Sequence, residues 1–450
     1  MTHRPAAAIV LAAGQGTRMK SDRPKVMHAV GGRPLIGHVL AGLAETAIER
    51  IVVVIGPGMD EVKAAVAPHP TVVQAERLGT GHAVLQAKAA LADFAGDVLV
   101  VYGDTPFVGG DTYDRLRAAR AAEAAPPVVV MGFMPEDPEG YGRLVLGPQG
   151  LERIVEENDA TPEEKRIAVC NSGIFAVDAP TLWTLLDKLD NANAKSEYYL
   201  TDIVRHARGA GLACGVVHGD EDELLGVNTR ADLAAAEALF QTARRTEAME
   251  NGATLTDPST VYFAFDTRLG RDVEIGPHVV FGPGVVVGDG VVIRGHCHIA
   301  GARIEAGAVV GPFARLRPGA VIGAGAHVGN FVEIKAATLE AGAKVNHLAY
   351  VGDARVGPGA NVGAGTITAN YDGFAKSFTD IGAGASIGSN AVLVAPVKVG
   401  DGAIVGAGTV VRKDVPADAL AVNEGEQKTV AGFGPAYRAR KKAAAEKRKK

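Results

Sequence analysis

The stretch Ile275-Gly276-Pro277-His278-Val279-Val280-Phe281-Gly282-Pro283-Gly284-Val285-Val286-Val287-Gly288 sets a pattern that runs to residue 411. An apolar residue opens nearly every six-residue unit and is usually followed by Gly, as again at Ile322-Gly323, Val328-Gly329, Ile387-Gly388, Val399-Gly400 and Val405-Gly406. A helix needs a period of 3.6 and a two-sided strand a period of two, so neither alone accounts for the spacing. A parallel β-helix does: each unit forms a short strand and a turn, three units close one coil, and the leading apolar residues fill the interior. Single residues are missing between Ile299 and Ile304, Ile334 and Leu339, and Val351 and Val356. The phase holds to about Thr368, an insertion spans Ala369 to Asp380, and Ile381 restarts it. A flexible Gly linker would lack the spaced Val and Ile.

The 450 residues leave room for two or three domains, and 47% apolar with 22% charged residues describes a globular chain. No apolar run reaches the length of a membrane span, and the N-terminus enters a strand without a signal-peptide core, so no membrane insertion is expected. Cys170, Cys214 and Cys297 are scattered without metal-ligand spacing, which fits a reducing, cytoplasmic setting. The net charge of −5 gives no general pull toward nucleic acid. The basic tail from Tyr437 to Lys450 reads as a solvated, mobile end.

Ahead of the repeats, Ala8–Leu11, Ile51–Ile55, Val72–Gln74, Val98–Tyr102 and Val128–Gly132 read as strands. Helical stretches near His38–Thr46, His82–Leu91 and Tyr113–Ala122 alternate with them, which is an α/β pattern. Ala231–Glu250, rich in Ala and Glu without Gly or Pro, reads as a helix leading out of this domain. The expected division is 1–228, a linker helix 229–250, and 251–450.

Leu11-Ala12-Ala13-Gly14-Gln15-Gly16-Thr17-Arg18-Met19, followed by Pro24-Lys25, leaves the first strand where α/β sheets collect ligands. Glycines there let backbone N–H groups close on a triphosphate, and Arg18 and Lys25 supply cations for charge building on a phosphorus under attack. In the repeats, Arg317 and Lys335 each follow the head of a unit one full coil apart, so they stack at about 4.8 Å and together call for an anion. Val328 and Val345 head units one coil apart, which puts Asn330 over His347 and Glu333 over Tyr350.

These strings resemble the signature of the sugar-nucleotide pyrophosphorylases. Further matches occur in order: Gln74, Leu78-Gly79-Thr80-Gly81-His82, Tyr102-Gly103-Asp104, Gly140-Tyr141-Gly142-Arg143, Ile154-Val155-Glu156, Asn171-Ser172-Gly173 and Gly226-Val227-Asn228. With the hexapeptide domain behind them, residues 6 to 420 resemble the bacterial bifunctional N-acetylglucosamine-1-phosphate uridyltransferase/glucosamine-1-phosphate acetyltransferases. The fold implied is a Rossmann-like nucleotidyltransferase domain, a linker helix and a left-handed parallel β-helix. General chirality rules would have given the opposite hand.

The resemblance implies nucleotide contacts at Leu11, Ala12, Ala13, Gly14, Lys25, Gln74, Gly79, Thr80, Tyr102 and Gly103. It implies sugar contacts at Gly140, Glu156 and Asn171, and Mg²⁺ at Asp104 and Asn228. In the β-helix it makes His347 the base, gives Arg317 and Lys335 the sugar phosphate, and gives Tyr350 and Asn361 the amino sugar. Ala364, Asn370, Tyr371, Ser389 and Ala407 would line an acetyl-coenzyme A site in a homotrimer whose acetyl sites are shared between subunits. The substrates implied are UTP, glucosamine-1-phosphate and acetyl-coenzyme A. Glu333 is expected to orient or polarise His347, whereas His278, His296 and His298 read as solvated turn residues. The chain departs from the family at Glu424, where an Arg for the coenzyme phosphates is usual, so either Lys428 or the basic tail substitutes, which is the favoured expectation, or coenzyme A binds less tightly. A pyrophosphorylase with a purely structural hexapeptide domain is the alternative.

Overall fold

The computed structural model describes residues 4–121, 125–148, 150–423, 425 and 429–447. The chain forms two compact units, Met1–Ala248 with Tyr262–Asp266, and Met249–Val261 with Thr267–Lys450.

In the first unit, strands β1 (Ala6–Ala12), β2 (Arg50–Ile55), β3 (Thr71–Val73), β4 (Asp97–Tyr102), β5 (Val128–Phe133), β6 (Arg143–Gly147), β7 (Gly150–Val155), β8 (Cys170–Asp178) and β9 (Cys214–His218) make one sheet. Its order is β9-β5-β8-β4-β1-β2-β3, with the β6–β7 hairpin joined at β8. All seven residues of β1 are buried, as expected of a strand covered on both faces. The sheet is not parallel throughout: β8 runs antiparallel to both β4 and β5. Strand direction depends on how the chain returns through the β6–β7 hairpin, and the apolar run in β8 does not encode it. Apolar clusters cover both faces, one around Ile9, Leu91, Phe175 and Leu200, the other around Val10, Leu43, Leu99 and Tyr113.

The expected outgoing helix is present at Arg230–Glu250. The chain then contributes a short return segment to the same unit. The buried Gln241 side chain donates to Phe263 O (2.7 Å) and accepts from Phe263 N (2.8 Å), and Phe265 N donates to Gly31 O (2.8 Å).

The second unit is the parallel β-helix. Its two- to seven-residue strands stack in parallel registers, for example Glu274 on Val292 and Val292 on Val309. Where residues are missing the step is shorter, as in His327 on Lys344, and across the insertion it is longer, as in Asn361 on Ser386. The unit heads are sealed, with Ile299, Leu316, Ile334, Val345, Val351 and Val399 all at 0% exposure. Each contributes about 1.5–3 kcal/mol on burial. A second interior layer lies two residues ahead of each head, valine in the first coils (Val273, Val279, Val285, Val291) and mostly alanine further on, as at Ala308, Ala326, Ala343 and Ala360.

At one corner, residues with left-handed backbones recur once per coil: His278, His296, Phe313, Phe331 and Leu348. His278 and His296 are therefore turn residues, but their rings are stacked rather than merely solvated. Centroid spacings run 4.7 Å from His278 to His296, 4.8 Å to Phe313 and 5.1 Å on to Phe331. His298 lies in the strand His298–Ile299 instead, because it immediately precedes a sealed head. The basic tail forms a helix, Phe433–Lys447, in which Phe433 and Tyr437 stack four residues apart. Glu424 and Lys428 lie outside the described residues.

Candidate active sites

The first site gathers at the carboxyl ends of β1 and β4. Gly16 takes a left-handed conformation (φ 64°), and a Cβ there would come within 2.5 Å of Lys25 Cβ. A side chain at this position would therefore push the signature loop away from Lys25. The Lys25 ammonium contacts the Asp104 carboxylate and lies 3.0 Å from Asn228 Oδ1, while Arg18 Nη2 donates to the same amide oxygen at 2.8 Å. Arg18 and Lys25 from the signature stretch, with Asp104 and Asn228 far along the chain, thus meet around one point.

The carboxylate of Asp104 and the amide oxygen of Asn228 converge on a single cationic nitrogen. That is the hard-oxygen pair a small divalent cation requires, with phosphates and waters completing an octahedron. Among the described residues no group of three or more His, Cys, Asp and Glu forms a metal cage, so the two oxygens and a nucleotide would have to act together.

Leu11, Ala12 and Ala13 are buried at the strand end, and Gly14 follows them. Gln74 is also buried, and its amide donates to Gly79 O (3.0 Å), so it braces the Gly79–Thr80 turn. Thr80 Oγ1 accepts from Leu200 N (3.0 Å). Burial pushes the Tyr102 phenol far above its ordinary range, which keeps it neutral. Gly103 N donates to Leu11 O (3.0 Å), locking the turn that presents Asp104 to the signature strand.

Asn171 N donates to Gly142 O (2.8 Å), which ties Asn171 to the segment just after the Pro138–Tyr141 turn that contains Gly140. Glu156 lines a hollow of about 250 Å³ with Asp159, Asn193, Tyr199, Thr201 and Arg205. Burial raises its carboxyl above the usual glutamate range, opposed by the Thr201 hydroxyl, which donates to it at 3.0 Å.

The second site lies on the β-helix. Asn330 stacks on His347 and Glu333 on Tyr350 in the register read from the repeats. The orienting partner of His347 is Asn330, however, and not Glu333: His347 Nδ1 lies 2.8 Å from Asn330 Oδ1. Glu333 begins the next face of the prism, where Arg317 (2.8 Å) and Arg315 (3.7 Å) hold it. An amide oxygen only accepts, so in the neutral imidazole this contact puts the proton on Nδ1 and leaves Nε2 its lone pair. His347 opens onto a hollow of about 210 Å³ lined also by Arg294, Pro312, His327 and Asn346.

Below His347 the coils stack Ala364, Ser389 and Ala407 in one column. Its links are Gly365 N to His347 O (3.2 Å), Asn390 N to Ala364 O (2.7 Å) and Gly408 N to Ser389 O (2.8 Å). These small side chains leave an open lane. Asn361 stands in a neighbouring column between Lys344 and Ser386.

Arg317 and Lys335 do stack, but each already has a carboxylate: Arg317 pairs with Glu333 and Lys335 with Asp353 (3.0 Å). The sequence spacing exposed the cations and hid the counter-charges, which sit on adjacent coils. Burial alone would raise the Asp353 carboxyl, but the bonds from Lys335 and Asn370 outweigh it and hold the group below the usual range. Asn370 also reaches Tyr350 Oη (3.4 Å), and Gly352 gives the Tyr350 ring room, since a Cβ there would sit 2.3 Å from the phenol oxygen. Tyr371 stays exposed and donates to Gly373 O (2.6 Å). Lys376, which the sequence reading missed, comes from the insertion to lie beside Lys335, whose ammonium pushes its pKa down. Arg317, Lys335 and Lys376 outnumber the two carboxylates, so an anion is still favoured there.

A strand-end loop that converges two cations on a carboxylate and an amide, followed by a β-helix carrying a tautomer-fixed His, defines a nucleotidyltransferase fused to a hexapeptide acyltransferase. Residues 8–168 match the MobA-like NTP transferase domain, and 266–301, 301–336 and 378–413 match the bacterial transferase hexapeptide model. The chain is 62% identical to the bifunctional protein GlmU of Paramagnetospirillum magneticum over 99% of its own length and 98% of that protein. It is 62% identical to the GlmU of Rhodospirillum rubrum over 96% and 97% of the two chains, and 53% identical to that of Jannaschia over 98% of each. The chain belongs to the GlmU family of bifunctional enzymes. It is an enzyme with uridyltransferase and acetyltransferase activities.

Proposed function

We propose that the β-helix acetylates glucosamine-1-phosphate from acetyl-coenzyme A and that the first unit then transfers UMP from UTP to the product. The reactions yield UDP-N-acetylglucosamine and pyrophosphate. The observation that carries this reading is the separation of two differently equipped clusters, Arg18–Lys25–Asp104–Asn228 in one unit and Asn330–His347 in the other.

In acetyl transfer, His347 Nε2 takes the proton from the attacking amine, the nitrogen bonds to the thioester carbonyl, and the coenzyme thiolate leaves. Arg317 and Lys335, with Lys376 beside them, hold the sugar phosphate, and Tyr350 and Asn361 bind the amino sugar. The lane of Ala364, Ser389 and Ala407, with Asn370 and Tyr371, takes the coenzyme. In uridyltransfer, Asp104 and Asn228 hold Mg²⁺, which when bound offsets phosphate charge. Lys25 and Arg18 meet charge developing on the α-phosphoryl group, the strand-end residues 11–14 and the Gly79–Thr80 turn hold the nucleotide, and Gly140, Glu156 and Asn171 hold the sugar.

The exposed ring ladder ending at Phe331, with exposed Leu348 next at the same corner beside His347, supports assembly of the β-helix with further copies of itself as a homotrimer. Buried free thiols at Cys170, Cys214 and Cys297 support a cytoplasmic location, and no helix among the described residues is long and apolar enough to cross a membrane. Incubation with glucosamine-1-phosphate, acetyl-coenzyme A, UTP and Mg²⁺ should yield UDP-N-acetylglucosamine, free coenzyme A and pyrophosphate. Uridylylation of preformed N-acetylglucosamine-1-phosphate without acetylation of glucosamine-1-phosphate would leave the hexapeptide domain a structural role only.

A further inference from the structure

Arg230 opens the long helix two residues after Asn228. Its guanidinium reaches two other pieces of the first site. Nε donates to Met19 O at 3.2 Å, next to Arg18, and Nη1 donates to His28 Nδ1 at 3.2 Å, at the end of the turn that begins with Lys25. On its own segment, Asp232 Oδ2 accepts from Asn228 N (2.9 Å) and Thr229 N (2.8 Å), and Val227 N donates to Asp104 O (2.9 Å). One side chain therefore links the three segments that deliver Arg18, Lys25 and Asn228.

We propose that Arg230 is a positioning residue for uridyltransfer, a planar fork that holds Arg18, Lys25 and Asn228 at the spacing the phosphates require. This rests on the assignment of uridyltransfer to the first unit. A lysine cannot replace the fork, because its single ammonium nitrogen cannot span two acceptors in the same plane. Phosphoryl transfer depends on placement, so a shift of about 1 Å in these cations is costly.

His28 is buried and must be neutral to accept from Arg230. Burial first, then the charges of Arg230 and Arg23, lower its pKa, with Glu61 opposing. Protonation would remove the acceptor and set two cations face to face. An Asn at position 28 would put its amide oxygen near where Nδ1 now sits and would not titrate.

The test uses full-length wild type, Arg230→Ala, Arg230→Lys and His28→Asn, with both activities measured on each preparation. Wild-type uridyltransfer is the control for the underlying assignment; its absence would defeat that assignment and not the role of Arg230. For Arg230→Ala, kcat for uridyltransfer should fall about tenfold or more while acetylation is unchanged, with part of the rate restored by added guanidinium ion. Arg230→Lys should stay impaired. His28→Asn should keep the rate and lose an acidic fall in uridyltransfer that wild type shows. The proposal is overturned if Arg230→Ala keeps the wild-type kcat. It is equally overturned if the lost rate tracks lost folded protein and guanidinium restores none of it.

Discussion

His347 Nδ1 lies 2.8 Å from the side-chain oxygen of Asn330, its neighbour on the preceding coil. The contact leaves Nε2 as the nitrogen that would serve as the proposed base. Asn330→Ala should therefore lower acetyltransfer about tenfold, with uridyltransfer unchanged. In Asn330→Asp a carboxylate would favour the imidazolium, so the acidic limb of the acetyltransfer pH profile should move to higher pH. A profile that stays in place in Asn330→Asp would show that Asn330 does not govern the base.

Phe331 is 55% exposed at the end of the ring ladder, on a left-handed backbone. Aspartate tolerates that backbone better than Phe does, so Phe331→Asp tests the surface and not the turn. Sedimentation should give about three chains per particle for wild type and fewer for the variant, which should also lose acetyltransfer. A variant trimer with full acetyltransfer would exclude the ladder from assembly.

The half-buried Glu156 carboxyl has a raised pKa, so the native state holds its proton more tightly than the unfolded chain does. The associated stability is complete below the unfolded pKa and is lost as pH rises through the native one. Glu156→Gln should therefore raise the Tm of the first unit relative to wild type at pH 8 and show no such gain near pH 4, while weakening sugar binding. A Tm difference independent of pH would contradict this.

Cutting at residue 250 removes the return segment and leaves the buried Gln241 amide without Phe263. Two hydrogen bonds are lost, each worth about 0.5–1.5 kcal/mol net, although the Gln241 amide still reaches Glu237 Oε1 (2.8 Å). A fragment 1–250 should therefore melt several degrees below a fragment 1–268, and both should catalyse uridyltransfer. Equal melting temperatures would deny the segment a role.

The β-helix was legible because its period has no competing reading, and the registers of Asn330 on His347 and Glu333 on Tyr350 follow from counting. The counter-charges are not legible: residue counting gives height along the prism and not which face a side chain serves, so Glu333 falls near His347 by count but pairs with Arg317. The inner layer of Ala308, Ala326 and Ala343 carries no distinct signal because alanine is common everywhere in this chain. Lys376 lies in an aperiodic insertion that carries no register. In the first unit the signature loop was readable from Gly16 and Arg18, whereas the direction of β8 and the reach of Arg230 arise from tertiary packing that local composition does not encode.

The central claim is that two independent sites serve successive reactions, and crossing Asp104→Ala with His347→Ala tests it most directly. Both activities should be measured on each full-length variant, with preformed N-acetylglucosamine-1-phosphate as the uridyltransfer acceptor. Asp104→Ala should abolish Mg²⁺-dependent uridyltransfer and leave acetylation intact, and His347→Ala should cut acetylation about 10²-fold or more and leave uridyltransfer intact. Loss of both activities in either variant, with the protein still folded, would contradict the account.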